Sequence, residues 1–221
     1  MKLECPSFSQ IPFLRHGFFS SEHEVLQGEG GEPLPSVTLN QVHGTHVIHV
    51  TESTLQNTEG DGLVTATPGI ALGILTADCG PVLFCDPTQK IIGACHAGWR
   101  GARAGILQET LKAMETLGAE RSNICAVLGP TICQDKYEVG PEFPELIGKA
   151  YETYFKPAVK PGHHYFNLPL YICDQLKAEG LSQIYDLKCD TFVTQFASWR
   201  RFSSQGKTKM DFSNLSAIAI V

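Results

Sequence analysis

The sequence predicts a mixed α/β (α+β) fold in which packed mixed β-sheets are flanked by helices. The chain has 221 residues, of which 43% are hydrophobic and 18% charged, a composition typical of globular proteins. Several apolar runs have the length of buried strands, whereas one segment near the middle of the chain has helical spacing. Sheets buried under helices explain both patterns.

Short apolar runs bounded by turn residues predict the first strands. They comprise residues 47–51, 70–75, 82–85 and 91–95, and the last of them is rich in small and β-branched side chains. The glycine- and proline-rich stretch 28–35 predicts a surface turn rather than a domain boundary.

Apolar residues then recur at helical spacing. Ile106, Leu107, Leu111 and Met114 share one face, and Gly118 ends the pattern, which predicts a helix over 106–117. Further along, the sequence predicts strands at 124–128 and 217–221 and helices at 141–155 and 168–179. Because no repeat or long linker divides the chain, we expect a single domain spanning residues 1–221.

Charge and cysteine usage exclude several classes of protein. The net charge of −6 is spread along the chain, which argues against nucleic-acid binding. No apolar run has the length of a membrane span, and the first residues lack the apolar core of a signal peptide, so we expect a cytoplasmic protein with no membrane association. Most of the eight cysteines lie inside apolar runs, as reduced thiols in a cytosolic protein do.

Polar residues capable of chemistry stand at three turns. The first turn contains Asn40 and His43, followed by a glycine that allows the backbone to turn sharply. The second places Asp78 beside Cys79 between two apolar strands. The third joins a strand to a helix and carries His96 and then Arg100, where helix N–H groups and cationic side chains attract anions.

Two kinds of site are compatible with these residues. His43, Cys79 and His96 could hold a zinc ion with one position left open, as catalytic zinc requires, and Asp78 could support the site or accept a proton. Alternatively, Cys79 could be a nucleophile with His96 as its base and Asp78 or Asn40 as the orienting group. The extra histidine, His43, favours the metal site.

Four segments resemble the YfiH family, also called the laccase-domain or multicopper polyphenol oxidase family, whose members are regarded as purine nucleoside phosphorylases. They read NQVHGTHV, TADCGPVLFCDP, CHAGWRGARAGIL and LGPTICQDKYEVG, and the resemblance extends over nearly the whole chain. It implies packed mixed sheets flanked by helices, related to the cysteine-hydrolase fold of CNF-type toxins. It also implies zinc bound by His43, Cys79 and His96. From their positions in the three turns, Asp78 and Asn40 are candidates for supporting the site or handling a proton, and Arg100 is a candidate for binding an anion.

The resemblance implies an enzyme whose substrates are purine nucleosides and phosphate. The implied activities are phosphorolysis of adenosine, inosine, guanosine and methylthioadenosine, together with deamination of adenosine. Two alternatives remain open. One is a metal-free Cys–His hydrolase or amidase acting on a cell-wall precursor or another amide, and the other is a non-catalytic binding protein.

The chain departs from the family pattern near its N-terminus and near its C-terminal motif. Residues 20–23 lack the arginine that the family carries there, so Arg15 or Lys2 would have to replace it if it holds phosphate. Phe202 stands where the family has an acid. Tyr137 and Phe196 are candidates for stacking on a purine, and Cys133 is a candidate for approaching the site.

Overall fold

The computed structural model describes residues 1–20, 22–53, 58–148, 153–208 and 212–221. Its strands form three sheets, of five, six and three strands, with helices packed on them, which confirms the mixed α/β class. Within these ranges, no helix is both long enough and apolar enough to cross a membrane.

The five-stranded sheet combines strands that are distant in sequence. Its members are β1 (Lys2–Leu3), β2 (Leu14–Phe19), β3 (Ser36–Val37), β6 (Ala71–Thr76) and β14 (Asn214–Ile220). They lie in the order β1-β2-β14-β6-β3, with β14 antiparallel to both of its neighbours. The strand predicted at 217–221 is therefore central, and burial on both faces explains its continuous apolar sequence.

The six-stranded sheet carries two of the three predicted turns. Its members are β4 (Val47–His49), β5 (Gly62–Thr65), β7 (Gly80–Asp86), β8 (Ile91–Ala97), β9 (Cys125–Leu128) and β13 (Gln183–Asp186). They lie in the order β13-β9-β7-β8-β5-β4. Strands β7 and β8 are antiparallel with Pro81 opposite His96, so the residue just before β7, Cys79, comes close to His96.

The remaining elements flank these sheets. The helices are α1 (Pro6–Ser9), α2 (Trp99–Ala104), α3 (Ile106–Thr116), α4 (Phe143–Ile147), α5 (Leu168–Ala178) and α6 (Trp199–Ser204). The third sheet contains β10 (Glu138–Val139), β11 (Phe155–Pro157) and β12 (His164–Phe166). Helix α3 buries the apolar face that its spacing predicts.

Side chains of β7 alternate between two hydrophobic cores. Val82 and Phe84 pack with the helices, whereas Leu83 and Cys85 pack against the five-stranded sheet. Successive side chains of a strand point to opposite faces, and here both faces are covered. This explains why the sequence at 82–85 is uniformly apolar.

The helix predicted at 141–155 is confirmed over Phe143–Ile147 and is wrong at both of its ends. Helix α4 ends at Ile147, and Gly148 follows with a φ of 112°, a conformation that L-residues rarely adopt. Residues 149–152 lie outside the described ranges, and Phe155 begins β11 instead. Apolar side chains at helical spacing suggested one long helix. In the structure they come from a short helix and a short sheet, whose aromatic residues pack into the same hydrophobic core.

His16 is expected to make the fold sensitive to acid. It is buried on β2, and its Nε2 accepts a hydrogen bond from the main-chain N–H of Cys5 at 2.8 Å. Burial, partly opposed by Glu4, lowers the pKa of His16 to about 4. As the pH falls below about 6.5, His16 is protonated in the unfolded chain but stays neutral in the folded chain. The free energy of unfolding therefore decreases on acidification.

The expected loss at pH 5, relative to pH 8, is about 2 kcal/mol of the free energy of unfolding. Urea titrations of the wild type and of His16→Gln, both treated with chelator, measure it. The glutamine Oε1 can still accept from Cys5 but does not titrate. If the two proteins lose the same stability between pH 8 and pH 5, His16 is not the cause.

Candidate functional site

The three turns predicted from the sequence meet at one end of the six-stranded sheet. Cys79 lies between β6 and β7, His96 lies near the end of β8, and His43 comes from the loop before β4. Ring nitrogens of the two histidines and the Cys79 sulfur all lie within 4.8 Å of one another. The Cys79 Sγ is 3.9 Å from His43 Nε2. Three donors so close together could converge on one metal ion.

Asp61 holds two of these residues in place. This buried carboxylate accepts a hydrogen bond from His96 Nδ1 at 2.8 Å and from the main-chain N–H groups of Val42, His43 and Gly44. Burial would raise the pKa of Asp61, but the hydrogen bonds from His96 and from the main chain lower it below its usual value. Because His96 Nδ1 is engaged, Nε2 is the nitrogen left to bind a ligand.

Glycine at position 98 makes room for the cluster. A Cβ built at Gly98 would lie 2.8 Å from the Cys79 sulfur and 3.1 Å from the His43 ring. Any other residue at this position would therefore push the sulfur and the imidazole aside. His43 itself has a φ of 62°, which Asp61 stabilises by binding the main chain of the turn.

Contacts within the cluster shift the pKa values of Cys79 and His96. Burial raises the pKa of the Cys79 thiol, but hydrogen bonds with His43 and His96 outweigh burial and lower it to about 7. For His96, burial lowers the pKa, whereas hydrogen bonds with Asp61 and Cys79 raise it to about 9. The arrangement thus stabilises a thiolate beside a charged imidazole, and a thiolate is the form that binds metals.

A cavity of about 540 Å³ opens onto the cluster. One part of its wall is cationic, with Arg100 stacked on the Trp99 ring and Arg200 placed over Tyr137. Another part of the cavity lining is aromatic, and the rest comes from strand ends and loops. The lining residues are Gln41, His43, Leu75, Thr76, Ala77, Asp78, Cys79, His96, Trp99, Arg100, Ile132, Tyr137, Leu168, Trp199, Arg200, Phe212 and Ser213.

Asp78 contacts the C-terminal part of the chain rather than the histidines. Its carboxylate accepts hydrogen bonds from Thr191 Oγ1 at 2.5 Å and from the main-chain N–H of Arg200 at 2.6 Å. Its carbonyl oxygen accepts from Thr131 and Ile132. Asp78 therefore connects the Cys79 loop to helix α6, and the carboxylate that supports a histidine is Asp61, which the sequence analysis missed.

Asn40 does not line the cavity. Its main chain pairs with Thr58 and Gly60, and the neighbouring Gln41 takes the place at the wall, with its side-chain amide bonded to both main-chain groups of Leu75. A direct role for Asn40 stays a prediction. The signal for Asp61 was an acidic residue between two glycines just before an apolar strand.

Four other candidates lie away from the cluster. Phe196 is fully buried in the core between the sheets, whereas Tyr137 does line the cavity. Cys133 borders a different cavity, and Lys2 and Arg15 border a third one beside β2. Neither Lys2 nor Arg15 lines the cavity at the His–Cys cluster, so a phosphate-binding role for either stays a prediction. Within the described ranges, the cations of the cavity wall are instead Arg100 and Arg200.

Known proteins of similar sequence share a name. The chain is 35% identical over 201 residues to a protein of Rickettsia conorii named purine nucleoside phosphorylase, covering 84% of this chain and 83% of the relative. It is 33% identical over 185 residues to purine nucleoside phosphorylase YfiH of Escherichia coli, covering 82% and 75% of the two chains.

Comparisons with solved structures and with a family model give the fold and the family of the chain. A Neisseria meningitidis protein superposes with a TM-score of 0.81 at 26% identity, covering all of this chain and 98% of the other. YfiH of Bacillus licheniformis shares the fold, with a TM-score of 0.81 at 23% identity, covering 100% and 96% of the two chains. The family described as multi-copper polyphenol oxidoreductase laccase matches residues 21–210. The chain therefore belongs to this family, the laccase-like or YfiH family.

Proposed function

We propose that this protein is a zinc-dependent purine nucleoside phosphorylase that cleaves adenosine, inosine, guanosine and methylthioadenosine and also deaminates adenosine. The observation that carries the proposal is the cavity in which His43, Cys79 and His96 converge beside two arginines. An anion-binding wall and room for a flat base are what nucleoside phosphorolysis requires, and a metal held by the cluster would add a Lewis acid.

The donor set fits zinc. Two imidazoles and one thiolate are ligands that zinc prefers, and three protein ligands leave one position for a substrate or water. The carboxylate of Asp61 behind His96 is the support that metal-bound histidines commonly have. When bound, zinc would supply a Lewis acid that stabilises negative charge on an oxygen of the reactants.

Two arginines of the wall are placed to bind phosphate. Arg200 uses one guanidinium nitrogen to bond the Glu138 carbonyl at 2.9 Å, and Arg100 is exposed and lies over Trp99. Guanidinium groups have several N–H donors and bind phosphate oxygens in pairs. Bound phosphate could then attack C1′ of the ribose as the bond from C1′ to N9 breaks and its electron pair leaves with the purine.

Product analysis with and without phosphate tests the proposal. Zinc-loaded protein is incubated with adenosine, inosine or guanosine. Free base and ribose 1-phosphate that form only with phosphate establish phosphorolysis, whereas inosine and ammonia formed from adenosine without phosphate establish deamination. If protein that holds zinc forms neither set of products, the proposal is refuted. Activity that survives chelation but not thiol alkylation would indicate the metal-free hydrolase.

Arg100→Met is expected to weaken phosphate binding. Loss of a charge-assisted hydrogen bond costs about 1.5–3 kcal/mol, which corresponds to a rise of at least about tenfold in KM for phosphate. The KM for the nucleoside should change much less. Arg103→Met is the matched control, because Arg103 lies on the same helix, is exposed and is not part of the wall. Equal KM values for phosphate in both variants would contradict the assignment.

A further inference from the structure

Three aromatic rings pack together at one side of the cavity, which two of them line, and we refer to Trp199, Phe202 and Phe212 as the aromatic wall. Trp199 and Phe212 line the cavity and are 43% and 50% exposed. Phe202 stacks on Trp199 with ring centroids 6.0 Å apart and an interplanar angle of 28°, and it meets Phe212 edge-on at 6.2 Å.

Such exposure is costly unless a ligand covers the rings. Large aromatic side chains gain free energy when they leave water, and the exposed Trp199 indole offers a flat apolar face to a cavity that also holds the polar cluster. Trp99, the other tryptophan, has Arg100 over its ring and Phe143 against it at 4.7 Å. Trp199 instead lines the cavity with 43% of its surface exposed and has Phe202 as its stacking neighbour.

The position of Trp199 is fixed by its neighbours in sequence. The carboxylate of Asp78 binds the N–H of Arg200, and the Ser198 hydroxyl caps helix α6 by accepting from the N–H of Arg201. The guanidinium of Arg201 donates to four main-chain carbonyls between residues 191 and 196. Trp199 thus belongs to a short segment held at Ser198, Arg200 and Arg201, so little freedom is lost when a ligand binds.

We infer that the aromatic wall is the base-binding surface of this cavity and that Trp199 stacks on the purine ring. The inference rests on the proposed function, because it assigns the base of the nucleoside to one side of that same site. A stacked purine covers the exposed indole, while the arginines and the His–Cys cluster remain available to phosphate and ribose. Purines have a larger π-face than pyrimidines, so the wall favours purine nucleosides.

The intrinsic fluorescence of Trp199 provides a direct test that needs no turnover. The chain has two tryptophans, so Trp99→Phe leaves Trp199 as the single indole. Titration of this variant with adenine or hypoxanthine should quench the emission saturably, and uracil should quench much more weakly. Adding Phe212→Ala should raise the Kd of the purine, whereas adding Val159→Ala, an exposed position outside the cavity, should leave it unchanged.

Kinetics complete the test. Loss of the stacked indole in Trp199→Ala should raise KM for the nucleoside about tenfold, which corresponds to about 1.4 kcal/mol, with a much smaller effect on KM for phosphate. Trp199→Phe keeps an aromatic face and should restore most of the affinity. Circular dichroism and zinc content establish that each variant is folded.

The two proposals fail in different ways. If the protein cleaves nucleosides but purines do not quench Trp199 and Trp199→Ala leaves KM unchanged, the aromatic wall does not bind the base. If no nucleoside is cleaved but purines quench Trp199 saturably, the proposed reaction is wrong and the wall still binds purines. Quenching by uracil equal to that by adenine would overturn the purine preference.

Discussion

Replacing Cys79 by alanine is expected to abolish both zinc binding and phosphorolysis. The variant lacks the thiolate, the ligand with the strongest preference for zinc in the cluster, and the remaining two histidines form an incomplete site. Zinc content should fall from about one ion per chain to near zero. The value of kcat/KM should fall at least about a thousandfold, which corresponds to about 4 kcal/mol of transition-state stabilisation.

Cys133→Ala is the matched control for this variant. Cys133 is also only partly buried, but it borders another cavity, and burial and nearby carboxylates raise its pKa to about 11. This control should keep the zinc and the activity of the wild type. Full turnover by Cys79→Ala would refute the assignment. Loss of activity with zinc fully retained would instead favour a nucleophilic role for Cys79.

Replacing Asp61 by asparagine is expected to weaken zinc binding by about 10–100-fold, although Asp61 is not itself a proposed ligand. The amide cannot accept from His96 and from three main-chain N–H groups as the carboxylate does. His43 and His96 therefore lose their common support. The free energy of unfolding should also fall, by about 3 kcal/mol, because buried donors lose a charged partner.

Asp86→Asn separates these two effects. Asp86 is a fully buried carboxylate at the opposite end of β7, where it accepts from the main-chain N–H groups of Thr88, Gln89 and Glu120. Its loss should cost similar stability but leave the Kd of zinc unchanged. Competition with a chromophoric chelator measures the Kd, and urea titration measures stability. If both variants bind zinc equally well, Asp61 has only a structural role.

Local patterns in the sequence predicted the central helix and six of the fourteen strands in the described ranges, namely β4, β6, β7, β8, β9 and β14. The run at 82–85 is apolar on both faces of β7, and the spacing of Ile106, Leu111 and Met114 marks the buried side of α3. These signals are local, since they depend on the period of the side chains. The helix predicted at 141–155 is correct at Phe143–Ile147 but wrong at its C-terminal end, because Gly148 interrupts it and Phe155 packs as part of a short sheet.

The sequence by itself identified the three donors, His43, Cys79 and His96, and placed each of them at a turn beside an apolar strand. Only the tertiary structure decided their supporting residues. Asp61 bonds His96, which is 35 residues away in the sequence, and Asp78 bonds Arg200, which is 122 residues away. The aromatic wall consists of residues beyond 198, which fold back onto the same cavity. Such contacts depend on strand register and sheet order, which join distant segments and leave no periodic signal in the chain.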